Sequence, residues 1–468
     1  MNIIADLQIH SKYSRAVSQE MIIPKIWDWA KRKGIGLMAT GDWTHPMWMR
    51  EIKANLEETG NGLCRLKKNA LSALNEVTNK WEDKVEEDYN PLFLLATEVS
   101  SIYTQGGKSR RIHTLIWSPT IETAEKINKA LFDHGCNLMS DGRPIIGLTC
   151  IQVTEIALTV DPTCLIIPAH AWTPWFSLYG SESGFDSIEE CFGKYSKYIY
   201  AIETGLSSNP AMNWRIKDLD NRSILSFSDA HSGPKLGREA TVFDLEEISY
   251  KTIRRAIMRP YYLSQNEMNK VTDNKIAYTI EFYPEEGKYH YTGHRSCLVK
   301  QTPEETVKKG TICPVCGKKL TVGVMHRVEQ LAGRIESVLK IKKKELPGTQ
   351  VKAMYSEAFS DRPPFIMLVP LQEILAECIG STIASQSLQN EYKKLTDDLG
   401  GEFNVLLKAK AVEIEKISGS RVAEGIVKVR NGDIDVDPGY DGVFGVVKIW
   451  GDKKEELIED SKDQLSLF

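Results

Sequence analysis

Short apolar runs separated by amphipathic stretches fill the first half of the chain. Ile3-Ile4-Ala5, Gly36–Thr40, Leu92–Thr97, Leu165–Ile167, Tyr198–Ile202 and Ile224–Phe227 each suit a buried strand, and the intervening segments suit helices. This pattern over residues 1–250 predicts an α/β domain with parallel strands. An acid or a histidine follows each run within a few residues: Asp6, Asp42, Glu98, His170, Glu203 and Asp229. Polar groups just past the carboxyl ends of successive parallel strands converge on one face, where barrel enzymes carry their chemistry.

The alternation lapses near residue 260, and a compact Cys/His region runs from His290 to Leu320. Val328, Leu331, Ile335 and Leu339 then recur at helical spacing. Four lysines between Lys340 and Lys344 close that helix, and Leu346-Pro347-Gly348 stops it. A mixed, helix-rich segment follows, with a turn at Asp437–Gly442 and a charged tail from Asp452 to Asp463. The expected division is therefore 1–250, a Cys/His module and linker over 251–325, a C-terminal domain over 326–450, and a tail over 451–468.

At 468 residues the chain is long enough for this division, and its net charge of −4 excludes a uniformly basic coat while leaving local basic patches open. No apolar run approaches the roughly 18 residues of a membrane span. Met1–Asp6 also lacks a signal-peptide pattern. The expectation is a cytoplasmic protein with no membrane partner. Six of the nine cysteines are scattered and read as reduced thiols.

Histidines concentrate where the acids do. His10, His45, His113, His170 and His231 join Asp42, Glu98 and Asp229 around the predicted strand ends, whereas His134 lies outside the pattern. Mixed imidazoles and carboxylates are ligands for divalent ions. These residues resemble the PHP (polymerase and histidinol phosphatase) family, a distorted seven-stranded β/α barrel with a multinuclear metal site. The resemblance assigns Gln8, His10, Asp42, Glu98, His113, His170, Asp229 and His231 to two or three ions (Zn²⁺, Mn²⁺ or Mg²⁺). Asp229, His231 and Glu98 stand closest to the chemistry. Two positions depart from the family pattern: Gln8 replaces a histidine, and Trp43 follows Asp42 where histidine is common, with His45 nearby.

Within that family the chain is similar to endonuclease Q, through Ala171–Ser177, Gly184–Glu190, Thr204–Ser208, Met212–Arg215, Ser228–Ser232 and Lys235–Ala240. The resemblance implies a DNA repair endonuclease cutting 5′ of deaminated bases (hypoxanthine, uracil, xanthine) or abasic sites. Damaged DNA would be its partner. Trp172, Trp175, Phe176 and Tyr179 either stack on an extruded base or fill a core. Asn213 is a candidate base reader, and Arg110, Arg111, Arg238 and Lys235 are candidates for phosphate.

His294-X2-Cys297 and Cys313-X2-Cys316 are ligand pairs of zinc-knuckle spacing, predicting one closed structural Zn²⁺ in a zinc-ribbon-like module, with His290 the competing histidine. Val299–Glu345 holds eleven Lys/Arg against five Glu, so Lys342 and Lys343 are expected on a DNA-facing surface. Arg421, Lys428 and Arg430 offer a second contact. The terminal Gln464-Leu465-Ser466-Leu467-Phe468 resembles the bacterial sliding-clamp motif, with Gln464, Leu465, Leu467 and Phe468 as anchors. Two other readings remain open: a phosphatase for a small monoester, and a DNA-binding adaptor without activity, which Gln8 would favour.

Overall fold

The structure, a computed structural model, describes residues 1–72 and 90–451. It is a mixed α/β fold around a 13-stranded mixed sheet. Asn2–Asp6 pairs in parallel with Leu37–Ala39, which pairs in parallel with Leu92–Gln105. Ala201–Glu203 pairs in parallel with Ser223–Leu225 in a two-stranded unit. The Thr241 hydroxyl joins that unit to the main sheet: it accepts from the Ser226 N–H and donates to the Ser226 carbonyl, both at 3.0 Å.

The parallel expectation fails in the middle of the sheet. Gly106 and Gly107, both at positive φ, turn the chain into Lys108–Ser118, which runs antiparallel to Leu92–Gln105 from Leu95↔Ser118 to Gln105↔Lys108. Leu165–Pro168 then pairs antiparallel with Lys108–Ser118. Glu98 and His113 therefore sit inside a long hairpin rather than beyond strand ends. Both lie on one face, because His113 faces Ser100, two residues from Glu98.

The sheet continues past residue 250. Ala240–Asp244 flanks Asn2–Asp6, Lys275–Glu281 follows, and Phe365–Met367 pairs with it in parallel. One hydrophobic core extends from Ile3 to Ile449.

The long helix expected through Leu339 is not formed. Val324–Leu331 is helical, Gly333 interrupts it against the Lys217 side chain, and Glu336–Leu339 is a single 3₁₀ turn. Lys342, Lys343 and Lys344 then lie on the edge strand Ile341–Glu345, paired among the described residues only with Lys352–Ser356. Exposed lysines discourage an edge strand from recruiting another chain, so these charges have a structural reason as well.

Five helices, Leu371–Ile379, Gln386–Asp398, Glu402–Leu407, Ala411–Ser418 and Ser420–Asn431, pack together, and Gln386–Asp398 and Glu402–Leu407 meet the first helix, Ile23–Lys33. Lys33 Nζ meets Glu402 at 2.6 Å with both side chains buried, and Tyr392 donates to the same carboxylate at 2.7 Å. Arg430, expected to reach DNA, is buried and donates to the carbonyls of Val405, Leu406 and Ala409. Arg421 stacks on Trp450 and Lys428 pairs with Asp433, so this trio is occupied within the protein.

Candidate active site

Strand Asn2–Asp6 delivers Gln8 and His10 into the centre of the molecule, where both are buried. His10 Nδ1 lies 3.0 Å from Asp42 Oδ1. Asp42 Oδ2 accepts from the Ser11 N–H (2.6 Å), the Ser11 hydroxyl (2.7 Å) and the Ser14 hydroxyl (2.8 Å). With its oxygens so engaged, Asp42 is placed to orient His10 rather than to join the open ligand set. A carboxylate behind a histidine fixes its tautomer and directs the other nitrogen outward. His10 Nε2 accordingly lies 3.1 Å from Asp229 Oδ1 and 3.3 Å from Glu98 Oε2, without hydrogen-bond alignment.

Two trios emerge, each with ligand atoms within 4.8 Å of one another: His10, Asp229 and His231, and Glu98, His113 and His170. Glu98 bridges them. Its Oε1 lies 2.5 Å from His113 Nδ1 and 3.5 Å from His170 Nε2, while its Oε2 faces His10 and accepts from Gln8 Nε2 at 2.6 Å. Gln8 Oε1, His10 Nε2 and Asp229 Oδ1 are all buried without a hydrogen-bond partner. Orphaned acceptors so close together are costly unless a cation satisfies them, and the donor set fits divalent ions. Gln8 thus sits at the cluster, where its amide clamps Glu98.

The electrostatics agree. Burial raises the Glu98 carboxyl, but His113, Arg143 and His10 hold it well below the ordinary range. Burial likewise works against ionised Asp229, and His10 reverses it. Burial pushes His113 down to about 4 against the pull of Glu98. Burial works against a charged His10, but Asp42, Asp229 and Glu98 raise it well above the ordinary range, so a metal ion binding there would displace its proton.

The backbone is strained where it presents these groups. Asp42, His170 and Asp229 have φ of 44°, 29° and 46°, a left-handed region uncommon for non-glycine residues. Glu203 supports His170: it accepts the His170 N–H at 2.7 Å, is fully buried, and is raised well above the ordinary range by that burial. Gly205 lies so near that an added Cβ would stand 2.3 Å from His170 Cβ. His45 does not reach the cluster; it is buried against Tyr13, with ring centroids 4.4 Å apart. His134 is exposed.

Sequence reasoning missed one charged residue here. Arg143 Nη1 lies 3.5 Å from Glu98 Oε1. It follows a loop, Asp141-Gly142, that carries no hydrophobic periodicity. The available signal was the Asp-Gly-Arg-Pro turn composition, which marks a turn without saying where it docks.

Several expected DNA contacts are occupied elsewhere. Trp172 is fully buried and donates its indole N–H to Asn213 Oδ1 at 2.7 Å, so neither can meet a base. Tyr179 is also buried, donating to Asp218. Arg238 donates to the Ser228 carbonyl at 2.8 Å and the Asp229 carbonyl at 3.4 Å, bracing the turn that carries Asp229. Arg110 donates to the Gly184 carbonyl, Lys235 pairs with Glu373, and Lys343 donates to the Asn431 carbonyl. Trp175 and Phe176 are half-buried. Phe176 lies with its ring 4.8 Å from His113, and its carbonyl accepts the His113 N–H. Lys342 remains exposed.

Away from this cluster, His294, Cys297, Cys313 and Cys316 bring their ligand atoms within 4.8 Å of one another. Three thiols and an imidazole fit a tetrahedral ion such as Zn²⁺. His290 is buried outside this group. The loop at Gly439–Gly445 docks on the module: Asp441 accepts from the Arg295 N–H at 2.7 Å and the Thr321 hydroxyl at 2.5 Å.

The family model for the MJ0043 C-terminal domain matches residues 370–433, the five packed helices. Protein MJ0043 of Methanocaldococcus jannaschii is 31% identical over 306 residues, covering 64% of this chain, which spans only 33% of that protein's length. Protein YqxK of Bacillus subtilis is 26% identical, with 77% of this chain and 79% of that protein covered. Among solved structures, the lesion-specific endonuclease PfuEndoQ of Pyrococcus furiosus is 30% identical, with a TM-score of 0.75 and 98% of both chains covered. An endonuclease Q bound to a 27-mer duplex with an abasic lesion at its active site is also 30% identical, with a TM-score of 0.76 and 98% of this chain and all of that one covered. An end-to-end match at this identity is a statement about kinship as well as shape: the chain belongs to the endonuclease Q family.

Proposed function

We propose that this protein is a metal-dependent DNA repair endonuclease that hydrolyses the phosphodiester bond 5′ of a deaminated base (hypoxanthine, uracil or xanthine) or an abasic site. The observation that carries the reading is the Glu98-bridged pair of trios, with its orphaned acceptors, in a chain that aligns over its length with an endonuclease Q bound to a lesion duplex.

In this reading the strands around Asn2–Asp6 form a PHP-type barrel, and residues 1–250 are its phosphoesterase domain. His10, Glu98, His113, His170, Asp229 and His231 hold the ions, with Gln8 and Asp42 steadying Glu98 and His10. Divalent ions there supply a nucleophile at neutral pH and offset charge at the phosphate. Asp229 and His231, the more exposed ligands, face the incoming strand. Trp175 and Phe176 line the approach of an extruded base. The zinc-ribbon-like module within 251–325 and the C-terminal domain over 326–450 grip the flanking duplex.

No helix among the described residues is long and apolar enough to cross a membrane. The clamp motif Gln464–Phe468 lies outside the described residues. As a tether it would raise the local concentration of the enzyme on clamp-loaded DNA. Titrating a bacterial sliding clamp with full-length protein and with protein lacking Gln464–Phe468 tests this: only the former should bind.

The lesion assignment is tested with end-labelled duplexes carrying uracil, hypoxanthine, an abasic site or no lesion. The expected product is a single nick 5′ of the lesion, with none in the undamaged duplex. Equal cutting of undamaged DNA, or release of phosphate from small monoesters alone, would overturn it.

A further inference from the structure

Arg143 is the sole non-histidine cation ion-paired to a carboxylate of the cluster among the described residues. Its 3.5 Å contact with Glu98 leaves most of a five-donor guanidinium uncommitted. Exposure separates the members of the site. His10, Glu98, His113 and His170 have side chains no more than 11% exposed, whereas His231, Arg143 and Asp229 reach 34%, 23% and 22%. Those three are the members of this group most open to solvent.

The loop that carries Arg143 is held on every side. Gly142 donates its N–H to the Tyr13 carbonyl at 3.0 Å, and its own carbonyl accepts from Thr44 at 3.3 Å. A Cβ on Gly142 would stand 2.4 Å from Asp42 Oδ2 and from Ser14 Oγ, so only glycine permits this approach. The Arg143 N–H donates to Asp141 Oδ1 at 3.0 Å, and the next carbonyl, Pro144, accepts from the Ser100 N–H at 3.0 Å. The backbone of Arg143 is thus held before substrate arrives, and Glu98 holds its guanidinium at the cluster; a charge placed ahead of the reaction lowers a barrier most. By contrast, Arg110, Arg238 and Lys235 are committed to protein carbonyls or a carboxylate.

We propose that Arg143 is a catalytic residue: its guanidinium hydrogen-bonds a non-bridging oxygen of the scissile phosphate and stabilises the charge that accumulates there during hydrolysis. The assignment rests on the endonuclease reading above. Hydrolysis adds one water across the ester, forming one P–O bond and breaking another, and Arg143 remains protonated throughout.

The test compares wild type, Arg143→Ala and Arg143→Lys on an abasic duplex whose scissile linkage is either phosphodiester or methylphosphonate, which removes one charged non-bridging oxygen. Metal content is followed in parallel by elemental analysis. On the phosphodiester, Arg143→Ala should lower kcat by about 10²–10³-fold with KM little changed, and Arg143→Lys should recover part of it. Metal content should be unaltered. The methylphosphonate and Arg143→Ala losses should be strongly non-additive, because both remove the same contact. A wild type that nicks the duplex beside an equally active Arg143→Ala variant would overturn the Arg143 assignment alone. Fully additive losses, or lost metal, would reduce Arg143 to a support for Glu98 and overturn it too. Failure of the wild type to nick any lesion duplex would remove the endonuclease reading itself, and this inference with it.

Discussion

At the scale of single residues, Asp42 stands behind His10, and in the proposed metal site it would act by orienting that imidazole. Three donors on Oδ2 and one imidazole on Oδ1 leave Asp42 little to offer an ion. Its effect should pass through His10. Asp42→Asn should therefore weaken metal affinity by about 10–100-fold while the fold persists, as read by chelator competition. Unchanged affinity would show that His10 holds its orientation alone. The cluster positions were legible in the sequence because histidines are scarce, nine in the chain, and recur with acids after apolar runs. The hydrogen bonds that Asp42 accepts from Ser11 and Ser14 were not, because they leave no pattern. Trp172 shows the opposite error. A row of aromatics after His170 does not say which members fill a core, as Trp172 and Tyr179 do, and which stay half-buried, as Trp175 and Phe176 do.

At the scale of elements, the hairpin Leu92–Ser118 matters most, because cross-strand register brings Glu98 and His113 together where separate parallel strands were expected. Its apolar runs were evident, but strand direction depends on which connection closes, and here the Gly106-Gly107 turn, at positive φ, reverses the chain. The lysine run misled for a related reason. Val328, Leu331, Ile335 and Leu339 have helical spacing, yet Gly333 breaks the helix and tertiary pairing draws Lys342–Lys344 into an edge strand. The Cys/His module was legible because ligand spacing on tight turns is a local constraint. Its four ligand atoms lie together as that spacing predicts. If they hold one structural ion, Cys313→Ser should remove one zinc per chain and weaken DNA binding while Asn2–Asp6 and its neighbours stay folded. Zinc content equal to wild type would contradict the Cys3His assignment.

At the scale of the whole molecule, the C-terminal helices are bound to the first helix by a buried ion pair. Glu402 accepts from Lys33, Tyr392 and the Leu371 N–H, all in the interior. Glu402→Ala would strand the Lys33 charge and should cost about 3–5 kcal/mol in denaturant unfolding. A loss under about 1 kcal/mol would mean that the helices dock through apolar contact alone, since exposed pairs contribute no more than that. The central claim is that the Glu98-bridged cluster itself cuts lesion-bearing DNA with the help of divalent ions. The most direct measurement is nicking of an abasic duplex by wild type and Asp229→Asn side by side, each with Mn²⁺, with Mg²⁺ and with EDTA. Wild type should nick with at least one of the two ions and stop in EDTA, while Asp229→Asn should bind the duplex and leave it intact. Wild-type nicking in EDTA, or undiminished nicking by Asp229→Asn, would contradict the account.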